Sequence, residues 1–141
     1  MSPKDPRIER LRAVPLFDAC DEKQLQFIAS RVDEIDVPAG KVLTEQGKSG
    51  GEFFVILSGE AEVRRSGTVV AALRPGDYFG EIALLDNGPR SATVVAKTQT
   101  RCLVLSPSQF QDVLYQDPAI AVMMLHVVVR RLRANTQLPS D

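Results

Sequence analysis

The sequence contains few of the residues from which metal centres and disulfide frameworks are built. Its 141 residues include one histidine, two cysteines and no tryptophan. Metal-dependent oxygenases and isomerases hold their ion with several histidine or carboxylate ligands, so the single histidine argues against that class of enzyme. A chain of this length buries a core without disulfides, and Cys20 and Cys102 are interpreted as small core residues of a cytoplasmic protein. We expect no metal, no cofactor and no catalytic residue.

Long apolar runs are also missing. The longest strongly apolar stretch without a charged residue, Pro118–Val129, has twelve residues. A membrane-spanning helix needs roughly 20 residues, so no membrane partner is expected. No apolar run follows the basic residues of Met1–Arg12, and we therefore expect no signal peptide.

No basic surface is expected on the central body of the chain. Residues 13–125 carry ten basic and fifteen acidic side chains, a net charge of −5, whereas residues 1–12 and 126–141 each carry +2. Nucleic-acid-binding domains concentrate positive charge, so we expect no direct nucleic-acid partner. Only eight residues follow Arg133, too few for a helix-turn-helix. With 25% charged and 44% hydrophobic residues, the chain is typical of one domain spanning 1–141.

Glycine is absent outside the segment from Gly40 to Gly88, which contains all nine glycines. Within that segment, turn residues separate short runs of β-forming residues at intervals near ten. Along 60–64 and 68–73 the residues alternate and predict half-buried strands, while Phe53–Leu57 is apolar throughout and predicts a strand covered on both faces. The predicted strands are Lys41–Thr44, Glu52–Leu57, Glu60–Arg64, Thr68–Leu73, Ser91–Ala96 and Arg101–Leu105. This pattern predicts a mainly β fold, an antiparallel jelly roll (double-stranded β-helix) over residues 34–106.

Helices are predicted on both sides of the β region, over residues 1–33 and 107–136. The first part contains helices at Asp5–Ala13 and Glu22–Arg31, and Asp21 is the expected N-cap of the second.

The last predicted helix, 118–135, is unusually apolar. From Ala119 to Val129 every residue except His126 is apolar, and such a helix must be covered on more than one side. One side is expected to lie on the β body, so the other requires a partner subunit, a ligand or a folded-back segment. A homodimer through this helix is one such arrangement.

The segment with the richest chemistry is Phe79–Val94. A helix that begins at Gly80 directs free backbone N–H groups outward, and glycine allows an anion to approach them. Arg90, at the start of the next strand, is placed to bind the same anion. Glu81 is expected to accept hydrogen bonds from neutral hydroxyls or to pair with Arg90. The arrangement suits an anion beside a hydroxyl-bearing group.

This segment closely resembles the phosphate-binding cassette, here 79–94, of the cyclic nucleotide-binding domain family. The resemblance rests on three motifs in order: Gly80-Glu81, Ala83-Leu84 and Pro89-Arg90-Ser91-Ala92. It implies that the backbone of a short helix holds the cyclic phosphate, that Glu81 accepts from the ribose 2′-hydroxyl and that Arg90 pairs with a phosphate oxygen. The implied ligand-binding residues are Gly80, Glu81, Ile82, Ala83, Leu84, Arg90, Ser91 and Ala92.

The resemblance also implies a pocket wall and a lid. Candidates for these roles are Val69, Ala71, Leu73, Phe79, Arg130 and Arg133. Phe79 and Leu84 also fit the core, and the arginines of the last helix also fit simple charge stabilisation of a helix C-terminus. Arg64 and Arg65 are interpreted as a solvated hairpin end.

The function expected from the resemblance is a cyclic nucleotide sensor with cAMP as ligand and cGMP as the alternative, since a hydroxyl at Ser91 suits either base. Binding is expected to move the C-terminal helices and so to signal to an unknown effector protein. Two alternatives remain open. One is a non-binding or structural dimerisation module with a degenerate jelly roll, and the other is a regulatory part of a larger kinase, channel or transcription-regulator system.

Overall fold

The computed structural model describes residues 5–86 and 88–136. The chain divides into two compact units. The first, the helical unit, is drawn from Met1–Ser30 and Gln111–Asp141, and the second, the β unit, is Arg31–Phe110.

The helical unit contains α1 (Pro6–Arg12), a 3₁₀ turn (Pro15–Phe17), α2 (Glu22–Ala29) and the last helix, α5 (Pro118–Thr136). The predicted N-cap of α2 is confirmed as a capping box. The Asp21 carboxylate accepts from the Gln24 N–H at 2.8 Å, and the Gln24 side chain accepts from the Asp21 N–H at 2.9 Å. The helix α4 (Pro107–Gln116) begins in the β unit and ends in the helical unit.

Helix α5 has one buried and one exposed apolar face. Ile120, Met124 and Val127 are buried at the spacing of one helix face. The exposed apolar side chains are Val122, Leu125, Val129 and Leu132. Among the described residues no single helix has both the length and the hydropathy of a membrane span, and only α4 and α5 counted as a bent pair reach them.

The β unit consists of two four-stranded antiparallel sheets, with the orders β1-β8-β3-β6 and β2-β7-β4-β5. The short helix α3 (Glu81–Asp86) lies between β6 and β7 in the chain. The strands are β1 (Asp33–Val37), β2 (Val42–Thr44), β3 (Phe53–Ser58), β4 (Ala61–Arg65), β5 (Thr68–Leu73), β6 (Tyr78–Phe79), β7 (Thr93–Ala96) and β8 (Thr100–Leu105). The predicted mainly β class with flanking helices is confirmed. The strands predicted from the sequence did not include β1 or the two-residue β6.

The core of the β unit lies between the two sheets. Phe54 and Ile56 of β3 meet Ala61 and Val94 of the other sheet in one buried cluster. The prediction that β3 is covered on both faces is confirmed, since all four residues from Phe53 to Ile56 are buried. The half-buried character predicted for β5 is wrong except at Leu73. Because β5 is an edge strand, it pairs with β4 alone and the rest of it is exposed.

The two cysteines are buried free thiols. Burial raises the pKa of the Cys102 thiol to about 11, and the charge of Asp36 adds to the effect. Burial likewise raises the pKa of Cys20 to about 11, with a further contribution from nearby aspartates. Both side chains are neutral at physiological pH, as expected of core residues rather than nucleophiles.

Candidate functional site: a cavity in the β unit

A cavity of about 700 Å³ opens in the β unit beside α3. Predicted residues that line it are Leu73, Phe79, Gly80, Glu81, Ala83, Arg90, Ser91 and Ala92. The remaining lining residues are Thr44, Val63, Arg65, Asp77, Tyr78, Asp86, Gly88, Pro89 and Val94. The structure therefore brings most of the predicted ligand residues to one concave surface.

Several predicted residues lie elsewhere. Leu84 is buried and does not line the cavity, in keeping with its alternative assignment to the core. The side chain of Ile82 lies outside the described part of the chain. Arg130 and Arg133 belong to the helical unit, where they line a groove along α5.

Arg90 is the main cation of the cavity and is held by the segment that precedes β3. Its Nη2 donates to the Glu52 carbonyl oxygen at 2.8 Å and to the Glu52 carboxylate at 3.3 Å. The Arg90 side chain is 7% exposed, whereas that of Glu52 is 48% exposed. A buried guanidinium thus lines the cavity, and the carboxylate that pairs with it is half exposed.

The backbone of Arg90 is fixed by the loop before Glu52. The Arg90 N–H donates to the Lys48 carbonyl oxygen at 2.9 Å, and the Gly47 N–H donates to the Arg90 carbonyl oxygen at 2.8 Å. Ser49 and Pro89 form a β bridge next to these bonds. Sequence reasoning placed Arg90 at the cavity but missed this loop, because Glu52 lies 38 residues away in the chain.

Gly80 lies where no other residue fits. Its φ is +92°, and a Cβ atom there would lie 2.5 Å from the Glu52 carbonyl oxygen and 2.8 Å from Nη1 of Arg90. From the sequence, glycine at this position is expected to admit an anion. The structure gives it a further role, since Gly80 leaves space for the guanidinium of Arg90 and the backbone before β3.

Glu81 is the first residue of α3 and lines the cavity in a half-buried position. The helix begins directly after Gly80, whose carbonyl oxygen accepts from the Leu84 N–H at 3.1 Å. The predicted helix start is therefore confirmed. It places the Glu81 carboxylate in the lining of the cavity that Arg90 also lines.

Phe79 serves both the core and the cavity wall. Its ring stacks on that of Phe54, with 4.7 Å between centroids and 11° between planes. Because Phe54 is buried between the sheets, this contact fixes the wall residue immediately before Gly80.

A β-bulge decides which residues of the β4–β5 hairpin reach the cavity. Val63 pairs with Ala71, but Arg64 pairs with Val69, so Val70 is an extra residue in β5. Residues that face each other across a strand pair share a face of the sheet. Val69 is consequently on the face of Arg64, opposite Val63, and does not line the cavity. Ala71 shares the face of Val63 but is also outside the lining.

Arg65 lies on the cavity face of the same hairpin and lines the cavity. Its Nε donates to the Ser91 carbonyl oxygen at 3.3 Å. Arg65 is exposed, as predicted for a solvated hairpin end, but the contact with Ser91 was not predicted. The signal was present in the alternation of β4, where Ala61, Val63 and Arg65 share one face.

The acidic residues of the lining are partly engaged by turns. Asp77 accepts from the Arg74 N–H at 2.8 Å, and Asp86 accepts from the Gly88 N–H at 2.9 Å. The cavity therefore combines a buried cation with carboxylates that accept hydrogen bonds. This combination suits an anion of low charge that carries hydroxyl groups.

The two sheets and the flanking helices define a jelly-roll domain, and its cavity is lined by the buried Arg90. Residues 34–117 match the family described as Cyclic nucleotide-binding domain. The chain belongs to the cyclic nucleotide-binding domain family.

Kinase regulatory subunits and a bacterial transcriptional regulator are among the similar proteins. The chain is 39% identical over 106 residues to a cAMP-dependent protein kinase regulatory subunit of Yarrowia lipolytica, which covers 74% of this chain and 28% of that protein. It is also similar to the N-terminal domain of a transcriptional regulator from Streptomyces coelicolor A3(2), with a TM-score of 0.86, 31% identity and coverage of 94% and 98%. A structure described as cAMP bound PfPKA-R (141-441) has a TM-score of 0.70 at 25% identity and covers 90% of this chain and 43% of that one. The chain spans about a quarter of the length of the curated relatives it matches.

Proposed function

We propose that the cavity binds one cyclic nucleotide, with cAMP as the principal ligand and cGMP as the alternative. The observation that carries this proposal is the buried guanidinium of Arg90 at the wall of a cavity that Gly80 and Glu81 also line. The cyclic phosphate takes the position beside Arg90, and the ribose 2′-hydroxyl donates to Glu81.

The charge balance of the site supports a singly charged ligand. A cyclic phosphodiester carries one negative charge, which one arginine neutralises. The Glu52 carboxylate lies 3.3 Å from Arg90 and is half exposed, so solvent weakens its attraction to the guanidinium. A phosphate bound in the cavity is desolvated, pairs more strongly with Arg90 and displaces this carboxylate. The regulatory subunits named for cAMP and the cAMP-bound neighbour support cAMP over cGMP.

Calorimetric titration of the 141-residue chain with cAMP and cGMP tests the proposal. Removal of one partner of a desolvated charge pair costs about 2–5 kcal/mol. Arg90→Ala is thus expected to weaken binding by about two to three orders of magnitude. Arg101→Ala is the matched control, since Arg101 and Asp36 form an ion pair of exposed side chains and Arg101 does not line the cavity. Equal binding by the wild type and Arg90→Ala would refute the ligand assignment.

The role of Glu81 has its own test. Cyclic 2′-deoxyadenosine monophosphate lacks the hydroxyl that Glu81 is proposed to accept from, and a buried acceptor without its donor costs about 1–3 kcal/mol. We expect the deoxy ligand to bind the wild type at least about fivefold more weakly than cAMP. In Glu81→Ala the two ligands should bind alike. An unchanged ratio in that variant would contradict the assignment.

We further propose that the protein is a sensor rather than an enzyme, and that binding repositions α4 and α5. Helix α4 begins in the β unit and ends in the helical unit, just before α5. A change in the β unit on binding can therefore alter the position of α4 and of the helix that follows it. The effector is another protein, in a kinase, channel or transcription-regulator system. Hydrogen exchange over residues 107–136 should change on saturation with cAMP, and unchanged exchange would exclude this mechanism.

The exposed face of α5 is proposed to form a homodimer. Val122, Leu125 and Val129 follow one another at spacings of three and four residues, and each is about half exposed or more. This spacing matches the seam of a two-helix coiled coil.

We place the protein in the cytoplasm, in keeping with its two free cysteines.

A further inference from the structure

We propose that Arg65 reads the edge of the purine base and sets how well a 6-oxopurine competes with adenine. This inference rests on the proposed function, because it assigns a specificity residue to the same cavity. It begins from the one arginine besides Arg90 that lines that cavity within the described residues.

Arg65 and Arg64 are both exposed, but Arg65 lines the cavity and Arg64 lies on the opposite face of the sheet. Strand alternation places Arg65 on the face of Val63, which also lines the cavity. Arg64 is on the opposite face, where its Nη2 pairs with the Glu62 carboxylate at 2.9 Å. Of the two adjacent arginines, Arg64 therefore forms an ion pair on the opposite face of the sheet, and Arg65 lines the cavity.

The contact of the Arg65 guanidinium with the protein orients it but uses only one of its three nitrogens as a donor. Its Nε donates to the Ser91 carbonyl oxygen at 3.3 Å, and no described residue accepts from its two terminal nitrogens. The hairpin tip beside it is also held, because the Ser66 N–H donates to the Gln46 side chain at 2.7 Å. The N–H groups of its two terminal nitrogens thus remain available at the cavity rim.

The ligand's charge is already matched elsewhere in the cavity. Arg90 takes the phosphate, which leaves the uncharged base for the part of the cavity formed by β4 and β5. That part contains Val63 and Leu73, whose apolar side chains suit the face of a purine, and Arg65 lies two residues from Val63 on the same face of β4.

A guanidinium has donors only, and purine edges differ in what they offer it. Guanine presents two acceptors, O6 and N7, which one arginine binds with two parallel hydrogen bonds. Adenine presents N7 beside an amino group that is itself a donor, so the second bond is lost. Arg65 should therefore raise the affinity for cGMP relative to the affinity for cAMP. This holds whichever of the two ligands binds the wild type more tightly.

Competition titrations with cAMP, cGMP and cyclic inosine monophosphate test this assignment. The inosine ligand has the O6 and N7 edge of guanine but lacks its 2-amino group, so it isolates the contact with Arg65 from any contact with Ser91. In Arg65→Met, cGMP and the inosine ligand should each bind about tenfold more weakly, while cAMP changes by less than about threefold. Arg64→Met is the matched control and should leave all three affinities unchanged.

A second variant separates hydrogen-bond geometry from charge. Arg65→Lys keeps the positive charge but lacks the planar fork, so it should lose the preference for 6-oxopurines as Arg65→Met does. If Arg65→Lys retains that preference, or if Arg65→Met weakens all three ligands equally, Arg65 does not read the base. Absence of binding of any of the three ligands to the wild type would instead overturn the proposed function, and this inference with it.

Discussion

Arg90 and Glu52 form the central contact of the cavity, in which one guanidinium nitrogen donates to both the backbone and the side chain of the same residue, at 2.8 and 3.3 Å. The backbone bond positions the arginine, and the carboxylate supplies a negative charge where the ligand's phosphate is proposed to lie.

Glu52→Gln is expected to strengthen cyclic nucleotide binding. The amide keeps an oxygen acceptor for Arg90 but removes a negative charge that opposes an incoming anion. Because the Glu52 side chain is 48% exposed, the gain is limited to about 1 kcal/mol, or up to about fivefold in affinity. Calorimetry at low and high salt measures it, and the gain should shrink at high salt.

Glu45→Gln is the control for this change, since Glu45 lies in the same loop and pairs with Lys48 at 3.0 Å, outside the cavity lining. Weaker binding by Glu52→Gln would show that the carboxylate positions Arg90 more than it competes with the ligand.

Gly80→Ala should destabilise the fold and weaken binding together. The new Cβ meets the Glu52 carbonyl oxygen and Arg90 in addition to adopting an unfavourable φ. Gly67→Ala separates the two effects, because Gly67 also has a positive φ of +81° but nothing lies within 4 Å of its Cβ position. We expect a loss of about 1–2 kcal/mol for Gly67→Ala and a larger one for Gly80→Ala, measured by urea unfolding.

Only Gly80→Ala should also reduce nucleotide affinity, in the direction of Arg90→Ala. Equal losses of stability in the two glycine variants would mean that the φ angle, and not the space beside Arg90, determines the residue at position 80.

The double variant Leu125→Glu with Val129→Glu should convert a dimer into a monomer. Charges on the exposed face of α5 oppose burial of that face in a second copy. Sedimentation velocity measures the change, and Val70→Glu is the control, since Val70 is 49% exposed but lies on β5. A wild type that is monomeric at high micromolar concentration would contradict the proposed interface.

The stability of the protein should fall between pH 9 and pH 11. Burial raises the pKa of the Cys102 thiol to about 11 in the folded protein, whereas the ordinary pKa of 9.0 applies in the unfolded chain. The unfolded chain therefore loses this proton at a lower pH. Ionisation therefore favours unfolding above pH 9, and the full contribution of the neutral thiol is present below that value.

The test compares the free energy of unfolding of the wild type and Cys102→Ala at pH 8, 9, 10 and 11. The variant removes this group while lysines and tyrosines still titrate in both proteins. Its stability should decline less steeply with pH. Parallel declines in the two proteins would show that burial of this thiol does not contribute.

Local signals in the sequence predicted the local parts of the structure. The Asp21 cap follows from a carboxylate three residues before Gln24, and the buried β3 follows from an unbroken apolar run. The cassette was found for the same reason, because Gly80, Glu81 and Arg90 lie within eleven residues of one another.

The missed features depend on pairing between distant segments. The contact of Glu52 with Arg90 joins residues far apart in the chain, and a half-exposed acid in a loop carries no periodic signal. The bulge at Val70 is likewise invisible in the alternation of β5, yet it turns Val69 away from the cavity. Arg65 is exposed, as predicted for a charged pair before a turn, but its place at the cavity was not predicted, although its parity with Val63 indicated it.

The pairing of residues 47–49 with residues 89–90 has a consequence for folding. Arg90 is fixed only after two segments about forty residues apart have met, and contacts of such long range form late in folding because of their loop-closure entropy. A partly folded chain therefore has the cassette sequence without the cation in its place. A ligand that requires Arg90 binds only the completed β unit, and its concentration adds to the stability of that unit by mass action.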